Sequence, residues 1–194
     1  MMEIESLNDQ LRIPEEPDWN QLSPGALIDH ILETHHAFLR RELPTLDYLM
    51  DKVLQVHGEK HSELHEVRRI FETFRYDLEV HLGNEEFILF PLCRQIENAD
   101  HIPLSPCVGC LGNQIERLEA EHKSIGNALT LIRKITNDYM VPNNVCSTFK
   151  VMLQSLSGLE VDIHKHLYKE NQLLFPKALE MERSVRETTA LLPK

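Results

Sequence analysis

Two similar segments of eleven residues occur in this chain of 194 residues. HLGNEEFILFP, from His81 to Pro91, returns as HLYKENQLLFP, from His166 to Pro176, at an offset of 85 residues. His36 and His122 are separated by nearly the same distance, 86 residues. Repetition at a fixed offset predicts that the chain contains two copies of one structural unit. We therefore expect two helical hairpins related by an approximate two-fold axis.

Four stretches of the chain carry apolar residues at spacings of three and four, and none alternates as a strand would. The first runs from Ser23-Pro24 to about His57, and the second begins at about residue 62 and has Pro91 near its end. The third follows a loop of about residues 97–111, and the fourth follows the turn at Pro142. Ser23 followed by proline is a typical helix start, and Pro44 is expected to kink the first helix. The pattern predicts an all-α fold, an antiparallel up-down four-helix bundle.

The ends of the chain lack this periodicity. We expect an acidic N-terminal arm over residues 1–22, anchored by Trp19, and a bundle over residues 23–182. The sequence turns polar after about Met181, so residues 183–194 are expected to form a frayed polar tail.

The formal net charge of −11, from 31 acidic and 20 basic residues, argues against nucleic-acid binding, because phosphate recognition needs clustered Lys and Arg. No apolar run approaches the roughly 20 residues needed to cross a bilayer, and the acidic start does not resemble a signal peptide. We therefore expect a cytoplasmic protein with no membrane or nucleic-acid partner. Small molecules, metals or proteins are the expected partners.

Six ionisable residues lie on the apolar stripes of the four predicted helices. They are His36, His81, Glu85, His122, His166 and Glu170. For a histidine taken alone, a ring hydrogen-bonded to a neighbouring carbonyl is the simpler interpretation. Burying unpaired carboxylates costs several kcal/mol, however, and each His-x-x-x-Glu pair projects from one face of its helix. The six residues together favour a buried metal site.

The repeat makes this donor set two-fold, which indicates two metal ions. Each ion would take two histidines, and Glu85 and Glu170 would bridge both ions so that buried charges compensate. The spacing leaves open which histidines pair at each ion. Four protein donors per ion leave positions for O2, NO or peroxide. Iron, manganese and zinc all accept histidine and carboxylate donors, so the residues alone do not select the metal.

Two further pairs of residues have open interpretations. Asp77 and Asp162 each precede a histidine of the repeat by four residues, and either orient that histidine or are helix-surface charges. Cys107 and Cys110 form a C-x-x-C motif in the central loop. It is a redox pair, half of a zinc site shared with another subunit, or two ordinary thiols.

The chain resembles the hemerythrin-like HHE cation-binding family and, more narrowly, the di-iron iron-sulfur cluster repair (RIC) proteins. The segments that carry the resemblance are Asp18-Trp19, DHILETHH, RRELPTL, LEVHLGNEEFILFP, LEAEHKSIGN and HKHLYKENQLLFP. Matched to that family, the iron-binding histidines correspond to His36, His81, His122 and His166, and the bridging glutamates to Glu85 and Glu170. The apolar stripe and the repeat also select His36 over His35, and the repeat selects His166 over His164. Full-length members carry a small domain with a paired-cysteine motif, which we expect this chain to lack.

The resemblance implies a stress-response protein with a cofactor of two iron ions bridged by an oxo or hydroxo group. Its implied role is the repair of iron-sulfur clusters damaged by nitric oxide or oxidants, one route being the supply of iron, with iron-sulfur proteins as partners. The alternatives are a hemerythrin-type O2 or NO sensor or carrier, and a di-iron NO reductase or peroxidase. We expect a metal-binding repair protein rather than a conventional enzyme.

Overall fold

The structure is a computed structural model that describes residues 18–98 and 110–190. It contains four long helices, here named α1 to α4. Helix α1 covers residues 24–57, α2 covers 63–97, α3 is Cys110–Ile135, and α4 covers 147–190. In the described ranges the chain forms no strand, which confirms the predicted all-α bundle.

The four helices pack as an antiparallel bundle in which α1 lies chiefly against α4, and α2 against α3. The start of α1 contacts the end of α2, and the start of α3 contacts the end of α4, as two antiparallel hairpins require. The closest helix pairs are therefore α1 with α4 and α2 with α3, and not the two hairpins of the repeat, α1 with α2 and α3 with α4. This pairing decides which histidines can meet.

Three helices each contain a π-helical segment in which the turn widens by one residue. These segments are Ile31–His36 in α1, Glu85–Leu89 in α2 and Glu170–Leu174 in α4. Single π turns inside α-helices are frequent at functional sites. Each of the three segments carries a member of the six-residue set.

The π segment in α2 corrects one part of the sequence prediction. A regular period continued from Glu85 assigns Ile88 and Leu92 to the buried face. In the structure Leu89 and Cys93 are buried, whereas Ile88 is 44 % exposed. The widened turn at Glu85–Leu89 inserts one residue into the period and so moves the buried face by one position.

Helix α2 continues through Pro91 to Glu97, close to the predicted start of the loop at about residue 97. Helix α4 continues past Met181 to Ala190, so the fraying predicted after Met181 is wrong as far as residue 190. Both prolines fall at the second residue after a π segment, where the widened turn already interrupts the regular hydrogen-bond pattern. Val185 packs on the apolar core, so residues after Met181 are held in the helix rather than frayed.

Two apolar clusters fill the bundle, one on each side of the polar residues. The larger cluster lies toward the turn between α1 and α2 and includes Phe71, Phe74 and Leu156. The smaller cluster joins the start of α1 to the ends of α2 and α4, and Trp19 packs against it. The Trp19 ring also lies 4.3 Å from the His30 ring, and the Lys169 ammonium lies 4.2 Å from its centroid, so Trp19 is held on the bundle.

None of the helices described is both long and apolar enough to span a membrane.

Candidate metal centre

The six ionisable residues of the stripes meet between the two apolar clusters. Their side chains come from all four helices, and each residue is at most 4 % exposed. They are His36 from α1, His81 and Glu85 from α2, His122 from α3, and His166 and Glu170 from α4. The structure thus brings together every residue that the sequence analysis selected for the site. Their role as metal ligands remains a prediction.

The cluster divides into two half-sites that share both glutamates. Half-site 1 contains His36 and His166, whose Nε2 atoms are 3.3 Å apart. Half-site 2 contains His81 and His122, whose Nε2 atoms are 3.1 Å apart. Two nitrogen ligands roughly 2.1 Å from one ion lie about 3 Å apart when their bonds are perpendicular. The imidazole spacing therefore suits a shared ion in each half-site.

The glutamates place one carboxylate oxygen in each half-site. Glu85 Oε2 is 3.3 Å from His36 Nε2, and Glu85 Oε1 is 3.1 Å from His81 Nε2. Glu170 Oε1 is 3.0 Å from His166 Nε2, and Glu170 Oε2 is 3.3 Å from His122 Nε2. A carboxylate that presents its two oxygens to two positions is arranged to bridge two ions.

The charges of this cluster are strongly interdependent. Burial alone would lower the pKa of His122, yet the Glu170 and Glu85 carboxylates raise it to about 10. Burial would likewise raise the pKa of Glu85, but His81, His122 and His36 hold it well below its ordinary value. The carboxylates therefore stay ionised although they are fully buried. The pKa values of His36, His81 and His122 are raised by the carboxylates in return, so positive charge on these rings is favoured, a role that bound cations would take over.

Carboxylates outside the cluster orient one histidine in each half-site. His36 Nδ1 lies 2.8 Å from Glu86 Oε1, and His81 Nδ1 lies 2.8 Å from Glu121 Oε2. An ionised carboxylate only accepts hydrogen bonds, so both Nδ1 atoms donate. In the neutral ring this fixes the tautomer and leaves the Nε2 lone pair directed into the half-site. The sequence analysis missed both carboxylates.

The third oriented histidine is His122, whose Nδ1 is 3.0 Å from Asn171 Oδ1. Asn171 follows Glu170 as Glu86 follows Glu85, so these two orienting residues occupy equivalent positions in the repeat. That equivalence is a signal that the sequence already contained. The amide oxygen is neutral, however, and accepts a weaker hydrogen bond from the ring N–H than a carboxylate oxygen does.

The fourth histidine, His166, differs from the other three because its Nδ1 atom is buried without a hydrogen-bond partner. The His35 ring instead stacks against it, with centroids 5.5 Å apart and planes 11° apart. His35 Nδ1 lies 2.9 Å from Asp162 Oδ1, and His35 Nε2 lies 3.2 Å from Lys169 Nζ. His35 is thus a buried neighbour of half-site 1 and points its nitrogens away from the cluster.

The two aspartates of the repeat have different surroundings. Asp162 contacts His35 rather than His166, and Asp77 is exposed on α2. The interpretation as a direct partner of the following histidine therefore fails for both. Cys107 lies outside the described residues, and the interpretation of the C-x-x-C motif stays open.

Two phenylalanines close the apolar side of the cluster. The Phe90 ring is 5.6 Å from His36, and the Phe175 ring stacks on His122 at 5.7 Å. Both belong to the repeated Phe-Pro dipeptide, so the repeat places an equivalent ring on each half-site. The cluster is therefore bounded by an aromatic ring on each half-site.

Comparison with known proteins agrees with this geometry. The family described as hemerythrin HHE cation binding domain matches residues 27–178, a range that contains all six residues. The chain is 32 % identical over 166 residues to an iron-sulfur cluster repair protein YtfE of Escherichia coli O157:H7, covering 86 % of this chain and 71 % of that protein. It is 33 % identical over 180 residues to the protein of the same name from Edwardsiella ictaluri, covering 92 % and 74 %.

Proposed function

Because the chain belongs to the hemerythrin HHE cation-binding family, we propose that its six-residue cluster holds two iron ions and that the protein repairs damaged iron-sulfur clusters. The damage would come from nitric oxide or from oxidative stress, and one route of repair is the supply of iron. Iron-sulfur proteins would then be the macromolecular partners. O2, NO or peroxide would be the small molecules that reach the centre.

The observation that carries the metal assignment is the state of the two buried glutamates. Both oxygens of Glu85 and one oxygen of Glu170 are buried without a hydrogen-bond partner. Buried polar atoms in native proteins are nearly always satisfied, and an ionised carboxylate is the costliest exception. All three atoms face the histidine Nε2 atoms at 3.1 to 3.9 Å. Two cations between them would satisfy the whole set.

The donor types narrow the candidate ions but do not select iron among them. The set contains four imidazoles and two carboxylates and no thiolate, which suits iron, manganese or zinc. The family resemblance supports iron. Bound iron would supply one-electron redox chemistry and open positions for a small diatomic molecule.

The residues of the chain have separate tasks in this proposal. Glu85 and Glu170 hold negative charge at the centre, and the four histidines supply neutral nitrogen donors when their protons leave. Glu86 and Glu121 keep the Nδ1 protons of His36 and His81 in place. Phe90 and Phe175 exclude water from one side. Small changes in these contacts would alter iron retention, which matters for a protein that supplies iron.

The relatives favour repair over the alternative functions. Proteins named for iron-sulfur cluster repair are 32 to 33 % identical to this chain over most of its length. A sensor, a carrier or a reductase could use the same six ligands, so the ligands do not distinguish these functions.

The test is reactivation of an iron-sulfur enzyme whose cluster has been damaged by nitric oxide. Iron-loaded protein should restore more activity than the same amount of iron carried by an unrelated iron-binding protein. Glu85→Ala, which removes a shared ligand, should lose the effect, whereas Glu79→Ala on the exposed face of α2 should keep it. Equal or better recovery with the unrelated iron carrier would exclude the repair function.

A further inference from the structure

A group of polar and aromatic side chains lies behind half-site 1, outside the six-residue cluster. Its centre is the ammonium of Lys169, whose Nζ lies 2.6 Å from His30 Nε2 and 3.2 Å from His35 Nε2. The Trp19 ring faces the same ammonium, with its centroid 4.2 Å from Nζ. None of the tasks proposed above for the residues of the chain uses this lysine.

These three contacts hold the charge of Lys169 without cancelling it. An ammonium group only donates hydrogen bonds, so both imidazole nitrogens accept and both rings are neutral. A tryptophan ring attracts a cation but does not neutralise it. The His35 ring that Lys169 contacts stacks in turn on His166, with the centroids 5.5 Å apart. A positive charge is therefore fixed beside half-site 1.

The repeat places no such charge beside half-site 2. At the offset of 85 residues the position equivalent to Lys169 is Asn84. Asn84 directly precedes Glu85, as Lys169 directly precedes Glu170. Both side chains are half-buried. The two half-sites thus differ by one positive charge at an otherwise equivalent position.

The carboxylates that orient the histidines are balanced in the same way on both sides. Glu86, which contacts His36, forms an ion pair with Arg40. Glu121, which contacts His81, forms an ion pair with Arg117 at 3.3 Å. Each half-site is therefore backed by one pair of a carboxylate and an arginine.

The two aspartates of the repeat are likewise one to each side. Asp162 lies behind half-site 1, and Asp77 occupies the equivalent position on α2. Among these neighbouring charges, Lys169 is the one without a counterpart. Half-site 1 is consequently less negative in its surroundings than half-site 2.

We propose, on the basis of the two-ion centre of the proposed function, that half-site 1 holds the ion that is released first and that Lys169 sets this order. A fixed positive charge repels a divalent cation and so lowers the barrier to its departure. On the same side, the buried His166 Nδ1 atom has no hydrogen-bond partner that would strengthen the ring as a ligand. The chain would therefore supply one ion and keep the other.

Release of this ion requires no electron. Ferrous iron passes from half-site 1 to an acceptor, and protons from solvent replace the lost positive charge at the emptied ligands. Glu85 and Glu170 each keep one oxygen on the ion of half-site 2. The buried carboxylates would thus remain compensated after the first ion has left.

The test follows the transfer of ferrous iron from the full chain, loaded without oxygen, to an excess of a coloured iron(II) chelator. We expect two kinetic phases, each of one ion per chain. Anomalous diffraction from crystals exposed to the chelator for a time between the two phases identifies the ion that has left. The signal beside His36 and His166 should disappear first.

Exchanging the two equivalent residues tests the role of the charge. Lys169→Asn should slow the fast phase about tenfold and leave the slow phase unchanged, and Asn84→Lys should accelerate the slow phase by a similar factor. Lys169→Arg keeps the charge and should keep the fast phase. Lys150→Asn, which removes an exposed positive charge elsewhere on α4, is the matched control and should alter neither phase.

Three results would overturn the proposal. The ion beside His81 and His122 could leave first, or both ions could leave in one phase, and either result would contradict the order. An unchanged fast phase in Lys169→Asn would remove the role of Lys169. These results would leave the two-ion centre and the repair function in place, whereas a chain that binds no iron would contradict the centre itself.

Discussion

The two half-sites of the candidate metal centre have the same donors but different surroundings. In half-site 2 both histidines are oriented, His81 by a carboxylate and His122 by an amide. In half-site 1 only His36 has such a partner, and the buried His166 Nδ1 has none. A repeat can therefore fix a symmetric set of ligands while the hydrogen bonds to the Nδ1 atoms of the histidines differ. We expect two ions that are held with unequal strength.

The difference has a structural origin in how the hairpins pack. Each half-site draws its histidines from the closely packed pairs, α1 with α4 and α2 with α3. Glu121 precedes His122 and reaches across to His81, while His35, at the equivalent position before His36, stacks on His166. One position of the repeat thus supplies a hydrogen bond in one half-site and a ring contact in the other.

The largest effect should come from the residues that both half-sites share. Glu85→Ala or Glu170→Ala removes an oxygen from each half-site, so bound metal should fall from two ions per chain toward none. Metal analysis of the purified variants would measure this, with Glu79→Ala as the control on the same helix. Unchanged stoichiometry in both glutamate variants would remove these residues from the site.

A smaller loss should follow when one half-site alone is broken. His36→Ala should remove the ion of half-site 1 and His81→Ala the ion of half-site 2, leaving one ion per chain in each case. The same metal analysis, together with calorimetric titration of the second ion, distinguishes this result from complete loss. If either variant lost both ions, the half-sites would not be separable.

The orienting carboxylates should affect the strength of binding rather than the number of ions. Glu121→Gln should weaken half-site 2, and Glu86→Gln half-site 1, each by about tenfold to a hundredfold, because the charge on the acceptor is lost. Competition with a chelator measures both affinities. Equal metal affinities in the variants and the unaltered chain would show that these hydrogen bonds hold the rings in place without affecting metal binding.

The smallest expected effect separates the two aspartates of the repeat. Asp162→Asn weakens the hydrogen bond that positions His35, and the His35 ring stacks on His166. The variant should therefore lower the metal affinity of half-site 1 by less than about tenfold. Asp77→Asn changes an exposed side chain and should leave both affinities unaltered. Chelator competition on the two variants makes the comparison, and a larger effect from Asp77 would reverse our interpretation.

The fold and the ligand candidates could be predicted because they depend on local periodicity and on one repeat. The stripes placed His36 and His122 on buried faces, and the offset of 85 residues paired Glu85 with Glu170. These features need no knowledge of how distant helices approach one another. The bundle followed from the same pattern.

Three features could not be predicted in this way. They are the pairing of the histidines, the contacts that orient them, and the buried face of the last turns of α2. The pairing of histidines at each ion depends on which helices pack most closely. The two hairpins of the repeat do not determine which helices those are. The shift from Ile88 to Leu89 comes from a π turn that no spacing rule anticipates. Glu121 was overlooked because its position next to His122 suggested no contact with another helix.

The measurement that tests the central claim most directly is iron analysis of the purified full chain together with its absorption spectrum. We expect two iron ions per chain and the near-ultraviolet absorption of an oxo-bridged di-ferric centre. A protein that binds no metal, or that binds a single ion which survives both Glu85→Ala and Glu170→Ala, would contradict it.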